Sequence, residues 1–127
     1  MDTDVIARDF FDRYSRALLD RDASAVADLY AVPALILFPG QSVAVSDRAQ
    51  TEQFFASAMG QYDGVTTTTA DVRVVAATGH SIWAEVAWHH GRGGDADRTG
   101  EPDESFVYQL VDSGDGWRIA VLTPLVG

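Results

Sequence analysis

Apolar residues recur at helical spacing near the start of the chain, where Ala7, Phe11, Tyr14 and Leu18 line up with Phe10 and Ala17 beside them. Asp9, Asp12, Arg13 and Arg16 fall mainly on the other side, so the period predicts a core-facing amphipathic helix over Val5 to Leu19. Asp22 is placed to cap a second, shorter helix whose stripe is Val26, Leu29 and Tyr30, and Pro33 forbids its continuation. Ala34 to Phe38 is too short for a buried helix and is bounded by Pro33 and Pro39-Gly40, which predicts a buried strand and a turn. Val43 to Val45 can return as a second strand. Asp47 with Gln50 three residues later resembles a capping box, and Thr51, Phe54, Phe55, Ala58 and Met59 mark the face of a third helix ending near Gly60.

The pattern then changes period. Val65 to Ala77, Ser81 to His90, Glu104 to Val111 and Trp117 to Val126 are rich in β-branched and aromatic residues. Turn-forming segments separate them at Asp63-Gly64, Thr78-Gly79, Gly91 to Pro102 and Ser113 to Gly116, which predicts an antiparallel meander. Several of these strands are apolar on both faces: Ala84, Val86 and Trp88 alternate with Trp83 and Ala87. One layer of helices covers one face, so the other is expected to meet a second subunit in a homodimer. The expected fold class is α+β, with three helices of the N-terminal half packed on a curved antiparallel sheet.

Length and composition narrow this picture. At 127 residues, 46% of them hydrophobic, residues 1–127 are expected to form one domain with one core. The net charge of −10, from nine Arg, no Lys and nineteen acids, repels phosphate backbones and anionic lipid, which argues against nucleic acid and membrane as partners. The absence of cysteine excludes a thiolate nucleophile and a Cys-ligated metal. The acidic start Met1-Asp2-Thr3-Asp4 is unlike a signal peptide, and no apolar run reaches the ~18 residues that a membrane span needs, so cytoplasmic residence is the expectation.

Of the three histidines, His80 lies in a turn, while His89 and His90 end a strand and point to opposite faces. Strand parity groups His90 with Ala84, Val86 and Trp88. The same parity sends Glu85 outward with Trp83. A metal site of His89, His90 and Asp95 matches no established spacing, and no metal or cofactor is expected. Asp95, Asp97, Glu101, Asp103 and Glu104 read as a solvated loop.

The order of elements, with Arg13-Tyr14, Ala17-Leu18 and Asp22, then Ala34 to Gly40, Ser46 to Ala49, Phe54-Phe55 and Gly116 to Ile119, resembles the NTF2-like superfamily in its SnoaL-like and ketosteroid-isomerase-like branch. The resemblance spans the whole chain and implies a cone-shaped fold around a pocket. It does not imply one activity, because the same fold hosts isomerases, dehydratases, epoxide hydrolases, cyclases and non-catalytic subunits. Tyr14 matches the helix tyrosine of the steroid isomerases, but the position of their Asp base becomes Phe38, which cannot accept a proton, so that chemistry is disfavoured. Arg73 and Arg118 lack an interior acid pair that would make the epoxide-hydrolase relay.

The resemblance implies a small, largely apolar ligand in a pocket lined by Phe11, Tyr14, Tyr30, Phe38, Phe55, Trp88 and Gln109. His90 with Tyr14 supplies an alternative, a lyase, isomerase or cyclase in which the two side chains converge to move a proton. A third reading is a non-catalytic dimerisation module.

Overall fold

Asp2 begins the first helix by accepting the Asp4 N–H on its carboxylate at 3.0 Å. From there α1 runs over Thr3–Leu19 and buries Ala7, Phe10, Phe11, Tyr14, Ala17 and Leu18, the stripe that the period predicts. The computed structural model describes residues 2–38, 40–58, 64–92, 104–112, 114 and 116–125. None of its helices is long and apolar enough to cross a membrane.

Arg21 reverses the chain after α1 with a φ of 52°, and Asp22 then caps α2 (Ala23–Ala27) by accepting the Ala25 N–H at 3.0 Å. The helix is shorter than its apolar stripe suggests. Leu29 accepts the Ile119 N–H at 2.8 Å, which draws the chain into the sheet, and Tyr30 begins a strand instead of ending a helix. Strand β1 covers Tyr30–Phe38, so Pro33 lies inside it, behind a cis Val32–Pro33 bond, and does not precede it.

Gly40, at a φ of 75°, turns β1 into β2 (Gln41–Val45), with Ala34 opposite Val45 and Phe38 opposite Gln41. The third helix, α3 (Arg48–Ala58), opens with a reciprocal cap. Asp47 accepts the Gln50 N–H at 2.9 Å, while the Gln50 side chain accepts the Ser46 N–H at 2.7 Å. Thr51 and Phe55 are the buried residues of its face, and Met59, expected on that face, lies outside the described residues together with Gly60 and Asp63.

The second half forms the predicted meander, β3 (Val65–Ala77), β4 (Ser81–Arg92), β5 (Glu104–Asp112) and β6 (Trp117–Pro124). The six strands lie in the order β2-β1-β6-β5-β4-β3. Every neighbouring pair is antiparallel except β1 and β6, where the first strand runs parallel to the last. Register shifts at Val65/Thr67, Val74/Ala76 and Gln109/Leu110 add local twist, which curves the sheet around the helices.

The two faces are chemically distinct. Ile82, Ala84, Val86 and Trp88 of β4, with Tyr108 and Leu110 of β5 and Ile119 and Leu122 of β6, join the residues of α1 in one core. Trp83, Val107 and Val121 alternate with them on the outer face and are half-buried. Glu85 also faces outward, paired across the strands with Arg73 at 3.3 Å.

Candidate functional site

Helical spacing places Phe11 and Tyr14 one turn apart on α1, and strand alternation places Trp88 and Tyr108 on the sheet face beneath them. The rings touch as one body. Phe11 lies 4.8 Å from Tyr108 and Tyr14 lies 5.4 Å from Trp88, centroid to centroid, while Tyr30 reaches Phe55 of α3 at 5.1 Å. Five expected lining residues, Phe11, Tyr14, Tyr30, Phe55 and Trp88, are thereby brought into one layer.

The polar tips within this layer meet each other. The Tyr14 and Tyr30 hydroxyls share a hydrogen bond of 2.8 Å although both residues are only 3% exposed. The Trp88 indole N–H donates to the Tyr108 hydroxyl at 3.0 Å, with both residues 1% exposed. A buried hydroxyl or indole without a partner costs free energy, so these pairs fix the rotamers of four large side chains at once.

Gln109 does not belong to the layer. It pairs with Trp83 and Val121 on the outer face, because its neighbours Tyr108 and Leu110 hold the inward parity of β5. Tyr108 is the residue that sequence reasoning missed, and its alternation with Phe106 and Leu110 was the available signal. Phe38 ends β1 opposite Gln41, and its side chain lies outside the described residues.

At the end of β4 the inner face becomes ionisable. The His90 side chain is 6% exposed and stacks on Trp88, with centroids 6.3 Å apart and planes 14° apart. Its Nδ1 lies 3.2 Å from the Thr68 hydroxyl and its Nε2 lies 3.3 Å from a Glu104 carboxylate oxygen. Glu104 is therefore a strand residue with an interior partner and not part of a solvated loop. Its inward parity with Phe106 and Tyr108 places it there. His89 faces the other way, 3.5 Å from Asp71.

The two residues expected to converge for proton transfer, Tyr14 and His90, both lie against the Trp88 ring, but Tyr14 directs its hydroxyl to Tyr30 while His90 engages Thr68 and Glu104. Among the described residues no group of three His, Cys, Asp or Glu could hold a metal, and Asp95 lies outside that set.

Two clefts border the aromatic layer from outside. One, of about 420 Å³, is lined by Tyr30, Asp28, Arg48 and Arg118 among others; a smaller one, of about 240 Å³, lies between Arg8, Phe11 and Asp12 of α1 and Ala70 and Val72 of β3. Arg48 is engaged on several sides, donating to Asp28 at 2.8 Å, Glu52 at 2.9 Å and the Ser24 carbonyl at 2.8 Å. The hydrogen bond to Asp28, with the charges of Asp28 and Glu52, raises its pKa above the ordinary arginine value.

Known proteins share this architecture. An NTF-2 like protein of unknown function from Shewanella oneidensis MR-1 superposes with a TM-score of 0.75 at 14% identity, covering 98% of each chain. A domain of unknown function with a cystatin-like fold from Nostoc punctiforme gives 0.74 at 17% identity, covering 98% of this chain and 78% of that one. A candidate dehydratase of the NTF2-like family from Streptomyces avermitilis gives 0.68 at 16% identity, covering 99% of each. At these identities the likeness speaks for the fold alone. No functionally curated protein matches the chain. Residues 3–125 match the family described as NTF2-like protein (DUF6841), and with the fold in agreement the chain belongs to that family.

Proposed function

We propose that this protein binds a small, largely apolar molecule carrying one or two hydrogen-bonding groups against the aromatic layer between α1 and the sheet. The buried hydroxyl pair of Tyr14 and Tyr30 carries this reading. A layer that served packing alone would be built more simply from Phe and Leu, whereas tyrosine and tryptophan bring hydrogen-bonding tips into an apolar interior. A ligand seated in the cleft of about 420 Å³ that Tyr30 lines, with a carbonyl or hydroxyl that exchanges into the pair, keeps those tips satisfied while its apolar body stays in the cleft. Shared proton transfer by Tyr14 and His90 has less support, since their polar contacts lead to different residues.

A thermal-shift panel of planar aromatic ketones and phenols tests the reading. A true ligand at a hundred times its Kd stabilises the fold by about 2.7 kcal/mol, and Tyr14→Phe weakens that ligand's binding about tenfold. In a background with Trp83 and Trp117 changed to Phe, binding also alters the fluorescence of Trp88. A panel without any shift, together with purified protein that carries no extractable small molecule, rejects the reading.

The outer face supports a second proposal, a homodimer through the sheet. Leu35, Trp83, Val107 and Val121 are half-buried apolar residues on strands β1, β4, β5 and β6, on the face opposite the helices. Sedimentation of the wild type as a dimer and of Trp83→Glu as a folded monomer is the expected result. A wild-type monomer at high concentration rejects it.

A further inference from the structure

We infer that Thr68, His90 and Glu104 form a hydroxyl–imidazole–carboxylate relay in which Thr68 is an acyl-accepting nucleophile. The three residues stand side by side on adjacent strands β3, β4 and β5, on the inner face at one end of the sheet. Thr68 lies directly opposite His90, and Glu104 is opposite Trp88. The contacts run in one line, from the Thr68 hydroxyl to Nδ1 at 3.2 Å and from Nε2 to Glu104 at 3.3 Å. Trp88 stacks along the imidazole and holds the plane of the ring.

The carboxylate settles the direction of the relay. Glu104 is an acceptor when ionised, so it selects the tautomer with the proton on Nε2 and leaves Nδ1 to accept the Thr68 proton. The same logic activates the nucleophile wherever hydroxyl, imidazole and acid are joined, whatever fold carries them. Burial is graded in the required sense. The His90 side chain is shielded at 6% exposure, whereas Thr68 is half-buried and the Glu104 side chain is 33% exposed, so solvent meets the two ends of the row and not its centre. β3 is also the outer strand of the sheet, and alternate N–H groups along an outer strand point away from its neighbour, where they can meet an oxyanion.

The substrate class is an ester or thioester, the acyl compounds that a hydroxyl activated by an imidazole attacks. In the first step the Thr68 oxygen bonds to the acyl carbon while its proton passes to His90 Nδ1. The bond from the acyl carbon to the leaving oxygen or sulfur then breaks, and the leaving group takes that proton. Water, deprotonated by His90, attacks the Thr68 ester, releases the carboxylic acid and restores the hydroxyl. Glu104 touches no reacting atom and acts as a positioning residue that stabilises the imidazolium. The relay goes beyond the binding proposal and does not depend on it, because Tyr14 and Tyr30 take no part.

p-Nitrophenyl acetate is the probe. The wild type is expected to release nitrophenolate and to carry one acetyl group on the peptide containing Thr68, detected by mass spectrometry after acid quench. Thr68→Ser retains the acetyl group. Thr68→Val removes it, and His90→Asn slows its formation about a hundredfold or more. Glu104→Gln slows acetylation with an unchanged melting temperature, and Glu104→Asp recovers part of the rate. Circular dichroism of each variant shows that the fold is kept, and Thr68→Ser and Glu104→Asp serve as the folded controls if His90→Asn unfolds. Absence of acetylation, acetylation only at other residues, an unchanged rate in Thr68→Val, or a rate indifferent to Glu104→Gln each overturns the relay. The thermal-shift panel reads binding without any acylation, and acetylation is read by mass at Thr68, so the two proposals fail separately.

Discussion

Two groups of polar atoms share the inner face of this sheet, and the fold treats them differently. In the deep layer, Tyr14 meets Tyr30 and Trp88 meets Tyr108, each pair made of neutral aromatic tips with residues no more than 3% exposed. At the strand ends, His90 meets Thr68 and Glu104, and the carboxylate side chain is 33% exposed. Where water is excluded, charged partners would carry a desolvation cost that neutral hydroxyls avoid. Where water reaches one member, an ionisable row is tolerated. The first arrangement suits holding a ligand, and the second suits moving a proton.

Trp88 joins the two groups, so its removal is the most direct way to break the comparison. Trp88→Ala strips the ring from Tyr14, Phe11 and His90 and takes the donor from Tyr108. The expected loss is about 3–5 kcal/mol in urea unfolding. Trp83→Ala, on the same strand but the outer face, should cost well under half of that in the monomer. Equal costs for the two substitutions would mean that the inner layer is no better packed than the outer face.

The deep group alone is probed by Tyr14→Phe, which removes the 2.8 Å partner of the buried Tyr30 hydroxyl. A loss of about 1–2 kcal/mol is expected, and the double variant Tyr14→Phe/Tyr30→Phe should lose less than the sum of the singles. Additive losses in the double-mutant cycle would show that the two hydroxyls do not act as a pair. Thr68→Val probes the rim in the same manner. It keeps the β-branched shape that suits strand β3 and should cost less than about 1 kcal/mol, so that its effect is read in acetylation and hardly in stability.

Local pattern reveals the layout of both groups better than their membership. The bounds of β3 could be read from the sequence because Gly64 and Thr78-Gly79 interrupt an otherwise continuous β-branched run. Strand parity likewise groups His90 with Ala84, Val86 and Trp88, and the structure places that set on the inner face. Tyr30 was misread as helical because Val26, Leu29 and Tyr30 keep a helical spacing, while the bond that draws it into the sheet comes from Ile119, far away in sequence. Gln109 was set in the pocket because β5 is apolar on both parities, Phe106, Tyr108 and Leu110 against Val107 and Val111, so alternation alone does not say which side is inside. Glu104 was lost for a different reason. Composition groups it with the acidic residues before it although it opens a predicted strand, and only its contact with His90 shows that it has an interior partner.

Salt gives the smallest and most selective test of the comparison, through a residue outside both groups. Arg48 fastens α3 to α2 with bonds to Asp28 and the Ser24 carbonyl, and it also reaches Glu52 within its own helix. Its pKa is raised, so the stability it contributes is complete below the ordinary arginine value and declines only as pH climbs through the still higher folded value. No pH dependence from Arg48 itself is therefore expected near neutrality. Ionic strength is the useful variable, because the ion pairs with Asp28 and Glu52 are exposed and are screened at 1 M salt, where the Debye length falls to about 3 Å. Arg48→Gln should lower the melting temperature slightly in dilute buffer, with the gap from wild type narrowing in 1 M salt as the ion pairs fade and the loss of the Ser24 contact remains. Tyr14→Phe, which removes a neutral buried bond, should keep its full gap under both conditions. A Tyr14→Phe deficit that shrinks with salt as the Arg48→Gln deficit does would place ionic character in the deep layer and dissolve the distinction between the two regions.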